Sequence, residues 1–348
     1  MKIAFYANRM FIEGDFLTKI GTGGSESALI NLTRSWKKNF PEDEVVVFNG
    51  STIRKQEYEG VKYKSVTEFK SDIVSNRWDA FISLRDHDPF LHPFINAKIK
   101  CLWSQDDMNE LGLQTIEKQL YMRTNIDLFF VISQHSKNSI SSAFPEKDFV
   151  IVRNGYNSDI NKINNESKKL RAIYTSTPFR GLDVLAEVWK DIYDHSGNNP
   201  ELRIFSGMGL YRQDDSPFLE LYNKLNILPN VKINPPISQY QLYKELQEST
   251  VMLYPNHFLE TGCMAVTEAL ANGCWVITTD LGALGEQVRD KMNGNLIPGN
   301  SRSTEYKDTF TQLAINYFKS PLNPYSSGLI FSWDNQSILM RKSILERI

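Results

Sequence analysis

An alternation constrains this chain more than any other feature. Short apolar runs of strand length are separated by longer amphipathic runs of helix length, and the series occurs twice. The first set of strand-like runs is Lys2–Asn8, Glu44–Asn49, Asp79–Leu84, Lys98–Trp103, Leu128–Ser133 and Phe149–Arg153. Helix-like stretches such as Glu26–Asn39 and Gln134–Phe144 lie between them. The polar segment Asn157–Lys169 has no apolar period and reads as a linker. The pattern then restarts with Arg171–Thr175, Leu202–Gly207, Val231–Asn234, Val251–Tyr254 and Trp275–Thr279. Helical stretches at Leu182–His195, Gln239–Gln247, Thr261–Asn272 and Ser303–Phe318 separate these runs. Such alternation predicts parallel sheets with helices on both faces. Two series joined by one linker predict two Rossmann-like α/β domains with a cleft between them, at 1–156 and 171–328 around a linker at 157–170. A chain of 348 residues is also longer than one core usually holds.

Bulk properties narrow the function. A formal charge of -2 argues against nucleic acid as a partner, because duplex binding rests on several Lys/Arg–phosphate contacts. Cys101, Cys263 and Cys274 are odd in number and fit no metal-site spacing, so they are expected as small buried thiols in a reducing compartment. No run approaches the ~20 apolar residues of a membrane span. A cytoplasmic protein is expected, with peripheral membrane contact left open.

In doubly wound sheets, ligands sit beyond the carboxyl ends of the strands. The chain's motifs fall there. Gly21-Thr22-Gly23-Gly24-Ser25-Glu26 follows the first strand and opens a helix, where glycine permits close backbone approach and free N–H groups face an anion. A tight turn is the plain alternative. The loop from Arg9 to Ile20 is long for such a connection, as a mobile loop over a site would be. Thr175-Ser176-Thr177-Pro178-Phe179-Arg180 follows the first strand of the second series. A cation at a helix start opposes the dipole, which a bound phosphate would explain; a surface arginine is the alternative.

The strongest motif is Glu260-Thr-Gly-Cys-Met-Ala-Val-Thr-Glu268. With a helix starting near Thr261, the amides of Gly262, Cys263 and Met264 could hold a diphosphate. Glu268, two turns along the same face and flanked by Ala265, Val266, Ala269 and Leu270, could accept both hydroxyls of a ribose. Glu260 would meet a sugar at the mouth. Loops at Gly207 and Ile237 end two further strands and could read a base, or be plain connections. In the first series, His87 and Asp106 are candidate sugar ligands or acid–base groups, with helix caps and turns as the alternative. His92 and His195 read as structural.

The stretch Glu260–Glu268 resembles the EX7E motif of the family-4 retaining glycosyltransferases of the GT-B fold. Arg180-Gly181 is similar to that family's Lys-Gly or Arg-Gly step. Val152-Arg153-Asn154-Gly155 resembles the turn closing the first domain, and Phe331-Ser332-Trp333 the start of the last helix. The resemblance implies two facing Rossmann-like domains, with the helix in 329–348 crossing back to the first. It implies Arg180 on the donor diphosphate, Glu268 on the ribose and Glu260 on the transferred sugar. Gly262 to Met264 would complete the phosphate site, and Gly23 and Gly24 would line the donor from the other domain. Two positions depart from the pattern. Tyr174 stands where the family has an arginine, which shifts phosphate binding to Arg180 and the hydroxyls of Thr175, Ser176 and Thr177. Gln105 stands nearest the family's usual histidine, with His87 as a possible replacement.

The expected activity is metal-independent transfer, with retention, from a UDP- or GDP-sugar to a glycan, lipid or other hydroxyl acceptor. An epimerase or hydrolase of the same architecture, a non-catalytic nucleotide-sugar binder, and a transferase acting on modified DNA are the competing readings.

Overall fold

The computed structural model describes residues 1–51, 57–160, 168–197, 199–324 and 328–348. Residues 161–167 of the expected linker lie outside the described residues. The chain divides into two compact units: Met1–Phe16, Gly24–Asn154 and Ser332–Ile348 form unit 1, Leu17–Gly23 and Gly155–Phe331 form unit 2. The strap Leu17–Gly23 thus groups with unit 2, although the sequence reading runs the first domain unbroken from residue 1 to 156. Gly21 is the physical reason: a Cβ there would come within 2.9 Å of Pro236.

Unit 1 holds strands β1 (Lys2–Ala7), β2 (Glu44–Asn49), β3 (Glu57–Tyr58), β4 (Val61–Ser65), β5 (Trp78–Leu84), β6 (Ala97–Trp103), β7 (Leu128–Val131) and β8 (Asp148–Ile151). They form one sheet in the order β3-β4-β2-β1-β5-β6-β7-β8, parallel except for β3 against β4. The central strands are continuous apolar runs because helices cover both faces. The edge pair β3–β4 escaped the sequence reading, since Val-Lys-Tyr-Lys-Ser in β4 alternates, burying Val61 and Tyr63 and leaving Lys62 exposed. The long loop after β1 is anchored rather than free: Ile12 and Leu17 are fully buried, and Gly50 N donates to Met10 O at 2.7 Å.

The Trp333–Leu345 helix packs on the Gly24–Asn39 helix, inside unit 1. Ser332 caps it by accepting from Asn335 N at 3.2 Å. Arg341 pairs with the buried Asp43 at 2.7 Å and lies 4.2 Å over the Phe40 ring. Burial works against ionisation of Asp43, but the hydrogen bonds from Arg341 and Trp36 outweigh it and hold the carboxyl below its ordinary range.

Unit 2 holds β9 (Lys169–Tyr174), β10 (Glu201–Phe205), β11 (Val231–Asn234), β12 (Ser249–Tyr254), β13 (Trp275–Thr279) and β14 (Gly294–Ile297). Its all-parallel order, β11-β10-β9-β12-β13-β14, reverses direction between β9 and β12. That reversal opens a crevice at the carboxyl ends of these two strands, the place where doubly wound sheets bind ligands. β14 also escaped the sequence reading. It is short and opens on Gly294, whose missing Cβ would fall 2.2 Å from Val276 O.

Candidate functional site

Both strands at the reversal lead into the motif loops. After β9 the chain turns at Pro178–Gly181 and enters the Leu182–Ser196 helix. Gly181 has φ 95°, and a Cβ on it would lie 2.1 Å from Pro255 O. Only glycine allows the Arg180 turn to sit this close to the loop after β12.

Arg180 is held there by charge and by rings. Its Nη1 donates to Glu260 Oε1 at 2.6 Å, and its guanidinium lies 4.3 Å from the Phe258 ring centroid. Burial disfavours its charge, yet Glu260 more than offsets that and raises the guanidinium's pKa above its ordinary value. Glu260 is only 3% exposed and also accepts from Tyr254 Oη at 2.7 Å. The expected position at an open mouth is therefore not what the structure shows: this carboxylate is buried and doubly hydrogen-bonded. Gly282, with φ 64°, brings the next loop onto it, and Ala283 N donates to Glu260 O at 2.7 Å. Near this ion pair, Thr175 Oγ1, Thr177 Oγ1 and Arg180 Nε are buried donors without a hydrogen-bond partner. Three unsatisfied donors on one six-residue stretch point to an absent acceptor-rich group. Ser176 lies on the same loop, half-buried. Tyr174, in the family's arginine position, is fully buried and donates to Thr177 O at 2.7 Å.

The Met264–Ala271 helix starts later than Thr261, with Cys263 at its N-cap. The amide of Cys263, one of the expected anion ligands, is engaged within the protein. Cys263 N donates to Gln287 Oε1 at 3.0 Å, and Gln287 Nε2 donates back to Cys263 O and Thr267 Oγ1. Thr261 and Gly262 form a bend before the helix, half-buried, each with a partner of its own. The first-turn amides of Met264 and Ala265, half-buried, remain at the positive end of the helix dipole.

Glu268 is buried and accepts from Gln239 Nε2 at 2.6 Å and from Tyr243. Burial pushes its carboxyl up to about 7, against these hydrogen bonds, which pull it down. A raised value means the protonated form stabilises the fold. That contribution is complete below the ordinary carboxyl value of 4.5 and disappears as pH rises through about 7. The unliganded protein should lose about 3 kcal/mol over that window, and Glu268→Gln should flatten the dependence; urea midpoints across the pH range test this.

The loops after β10 and β11 reach the same end of the sheet. A Cβ on Gly207 would lie 2.9 Å from Pro236, which also meets Gly21. Ile237, beside it, is half-buried against the core of unit 2. Phe179 contacts both Tyr211 and Phe258, which ties the loops after β9, β10 and β12 into one aromatic layer. Unit 2 thus brings together Thr175, Ser176, Arg180, Gly207, Ile237, Glu260, the start of the Met264 helix and the Gly21–Gly23 strap. Gly24, His87 and Asp106 belong to unit 1.

In unit 1, Arg85 takes φ 59° at the end of β5 and grips Asp106 with two bonds, Nε–Oδ2 at 2.7 Å and Nη2–Oδ1 at 2.8 Å. Its Nη1 also reaches Ser25 Oγ at 3.3 Å, one residue into the helix that Gly24 opens. His87 Nδ1 is buried without a partner, while Nε2 lies 3.5 Å from Asp88. Gln105 is buried after β6. The three cysteines are free and buried. Among the described residues, no helix is long and apolar enough to cross a membrane. Sequence reasoning missed Phe258, Gln239, Tyr243 and Gln287, since each acts through a partner that is distant in sequence, and Tyr254, which reads only as the end of a strand.

Residues 157–323 match the family model described as "Glycosyl transferases group 1", which spans nearly all of unit 2. These residues form a group 1 glycosyltransferase domain. A D-inositol 3-phosphate glycosyltransferase of Rhodococcus erythropolis is 33% identical over 127 residues, 35% of this chain. The chain spans 28% of that relative's length. Two solved structures match over nearly their whole lengths. Sucrose-phosphate synthase from Thermosynechococcus elongatus has TM-score 0.74 at 13% identity, covering 99% of this chain and 98% of that one. The Anabaena protein HepE, solved with UDP-glucose, has TM-score 0.69 at 14% identity, covering 99% and 100%. The fold of the group 1 domain and its companion is the two-domain GT-B fold.

Proposed function

We propose that this protein is a retaining glycosyltransferase that uses a nucleoside-diphosphate sugar, with UDP as the nucleotide, as in the HepE structure. The observation that carries the reading is the set of unpartnered donors Thr175 Oγ1, Thr177 Oγ1 and Arg180 Nε at the strand-order reversal. A diphosphate supplies the missing acceptors. Arg180 and the amides of Met264 and Ala265 meet the charge that builds on the leaving phosphate, so the reading requires no metal. Glu268 accepts the ribose hydroxyls, and the loops at Gly207 and Ile237 flank the base. Glu260, with Tyr254, orients Arg180 and the transferred sugar. Its Oε1 is engaged twice, which makes it a poor nucleophile and supports transfer on one face, without a covalent glycosyl-enzyme. Asp106 and His87 are the acceptor-side candidates, and the acceptor is a hydroxyl compound.

Thermal shift against a panel of nucleotide sugars tests the donor, because a bound ligand raises apparent stability. UDP-sugars should raise the melting temperature, and transfer should leave the anomeric configuration unchanged by proton NMR. No shift with any nucleotide sugar would end the reading. Ribose hydroxyls donate to the ionised carboxylate, so donor KM should fall as pH rises through about 7 and lose that dependence in Glu268→Gln.

A further inference from the structure

We propose that Asp183 is a positioning residue for transfer: with Arg302 and His257 it pins the loop after β12 to the Arg180 turn, so that Phe258 and Glu260 keep Arg180 Nε facing the donor diphosphate. This rests on the glycosyltransferase reading and adds a residue to it. Asp183 lies three residues after Arg180, in the first turn of the Leu182–Ser196 helix. A carboxylate there suits the helix dipole, which by itself calls for no partner on another loop. Asp183 has two such partners. Its Oδ2 accepts from Arg302 Nε at 3.1 Å and lies 2.9 Å from Arg302 Nη2, and its Oδ1 lies 3.3 Å from His257 Nε2. Arg302 Nη2 is also 3.1 Å from that ring nitrogen. Burial opposes ionisation of Asp183, but Arg302 and His257 outweigh it and hold the carboxyl below its ordinary range. A ring with Nε2 bare accepts from Arg302, and one with Nε2 protonated donates to Asp183. His257 is therefore tied to Asp183 in both forms, through Arg302 or directly.

His257 stands between Asn256 and Phe258 on the stretch 255–260. Asn256 is fully buried and anchors the start of that stretch. Its O accepts from Thr279 Oγ1 at 2.6 Å, and its Oδ1 accepts from Phe258 N at 2.9 Å. Beyond Asn256 the stretch leaves the core, and Phe258 is exposed. Phe258 nevertheless keeps its ring centroid 4.3 Å from the Arg180 guanidinium. The hydrogen bond from Nη1 to Glu260 lets a guanidinium pivot about it, and the nearby Phe258 ring limits that pivot. The Arg180 turn and the stretch 255–260 meet at Gly181, which approaches Pro255 O, and at Asp183, which reaches His257. The first contact stops the two loops from coming closer. The second stops them from parting. Exposed ion pairs add little to fold stability. With the Arg302 side chain 58% exposed and that of Asp183 36%, this clamp is suited to setting the distance between two loops rather than to holding the domain together.

Steady-state kinetics of the intact chain with a UDP-sugar test this. Asp183→Ala should lower kcat by about tenfold, within the roughly hundredfold loss that a misplacement of about 1 Å can cause. Donor KM should stay within about twofold, because the contact that Arg180 makes grows as the phosphate leaves. His257→Ala, a second way to loosen the same clamp, should show the same split. Melting temperatures of both should stay near wild type. On the Arg180→Ala background, Asp183→Ala should cost no further kcat, since the group it positions is gone; a residue that only supports the fold would repeat its loss there. An Asp183→Ala enzyme with wild-type kcat, a loss confined to KM, or a loss repeated in full on the Arg180→Ala background would overturn the proposal. So would unfolding of both single variants at the assay temperature, because the clamp would then hold the fold and not the guanidinium. Wild-type transfer beside any of these results ends this proposal alone. A wild type with neither donor shift nor transfer ends the glycosyltransferase reading as well.

Discussion

Arg180→Ala should lower kcat/KM for the UDP-sugar by about a hundredfold to a thousandfold. Removing one preorganised donor from a developing oxyanion costs about 3–4 kcal/mol of barrier, and a charge-assisted arginine contact belongs among the stronger donors. The loss should fall mainly on kcat, because the charge it meets grows as the phosphate leaves. The same substitution strips Glu260 of its cation at 2.6 Å and leaves a buried carboxylate with Tyr254 as its remaining hydroxyl donor. Stability should drop as well. The companion Arg180→Ala with Glu260→Gln removes the orphaned charge, so it should recover melting temperature without recovering activity. Steady-state kinetics beside thermal melts separate the two effects. An Arg180→Ala enzyme with wild-type turnover would remove the site.

Arg171→Ala should destabilise unit 2 by about 3 kcal/mol, toward the lower end of what breaking a buried ion pair costs. The Arg171 side chain is 2% exposed and holds Glu245 at 2.9 Å, Glu248 at 3.1 Å and Glu201 at 3.3 Å. Those carboxylates keep some solvent and have other cations, Arg203 on Glu201 and Glu245 and Lys169 on Glu248, which limits the loss. The network lies at the amino ends of β9 and β10, away from the crevice at their carboxyl ends, so catalysis by the folded enzyme should be unchanged. Burial opposes ionisation of Glu201, but Arg203, Lys232 and Arg171 outweigh it and bring its carboxyl down to about 2. A depressed value stabilises the fold above the ordinary 4.5 and loses that contribution as pH falls toward 2. Acid unfolding of the variant should therefore begin at higher pH, which circular dichroism during acid titration would show. An unchanged acid midpoint would deny the network its role.

The chain's chemistry was legible where a local pattern carries it. The apolar runs from Ile3 to Ala7 and from Val251 to Tyr254 state their burial outright, because a strand covered on both faces has no polar side to hide. Gly181 and Arg180 were legible as a pair, since glycine frees the turn that the arginine closes. The short apolar flanks of Glu268 foretold that it would not face water. Local pattern failed where a residue's partner lies far along the chain. Gln287 takes the Cys263 amide from 24 residues away, which turned an expected phosphate ligand into part of the helix cap. Gln239 reaches Glu268 across 29 residues, and Arg180 reaches Glu260 across 80.

The sequence by itself determined the α/β class, the twofold series of strands and helices, and the placement of its motifs at strand ends. These follow from residue periodicity and from the conformations that glycine and proline allow, which act over a few residues. Tertiary structure alone decided the strand order whose reversal opens the crevice at β9 and β12, the pairing that buries Glu260, and the grouping of Leu17–Gly23 with unit 2. Hydrogen bonds and close packing are satisfied in space without regard to chain distance, so no local pattern could announce them.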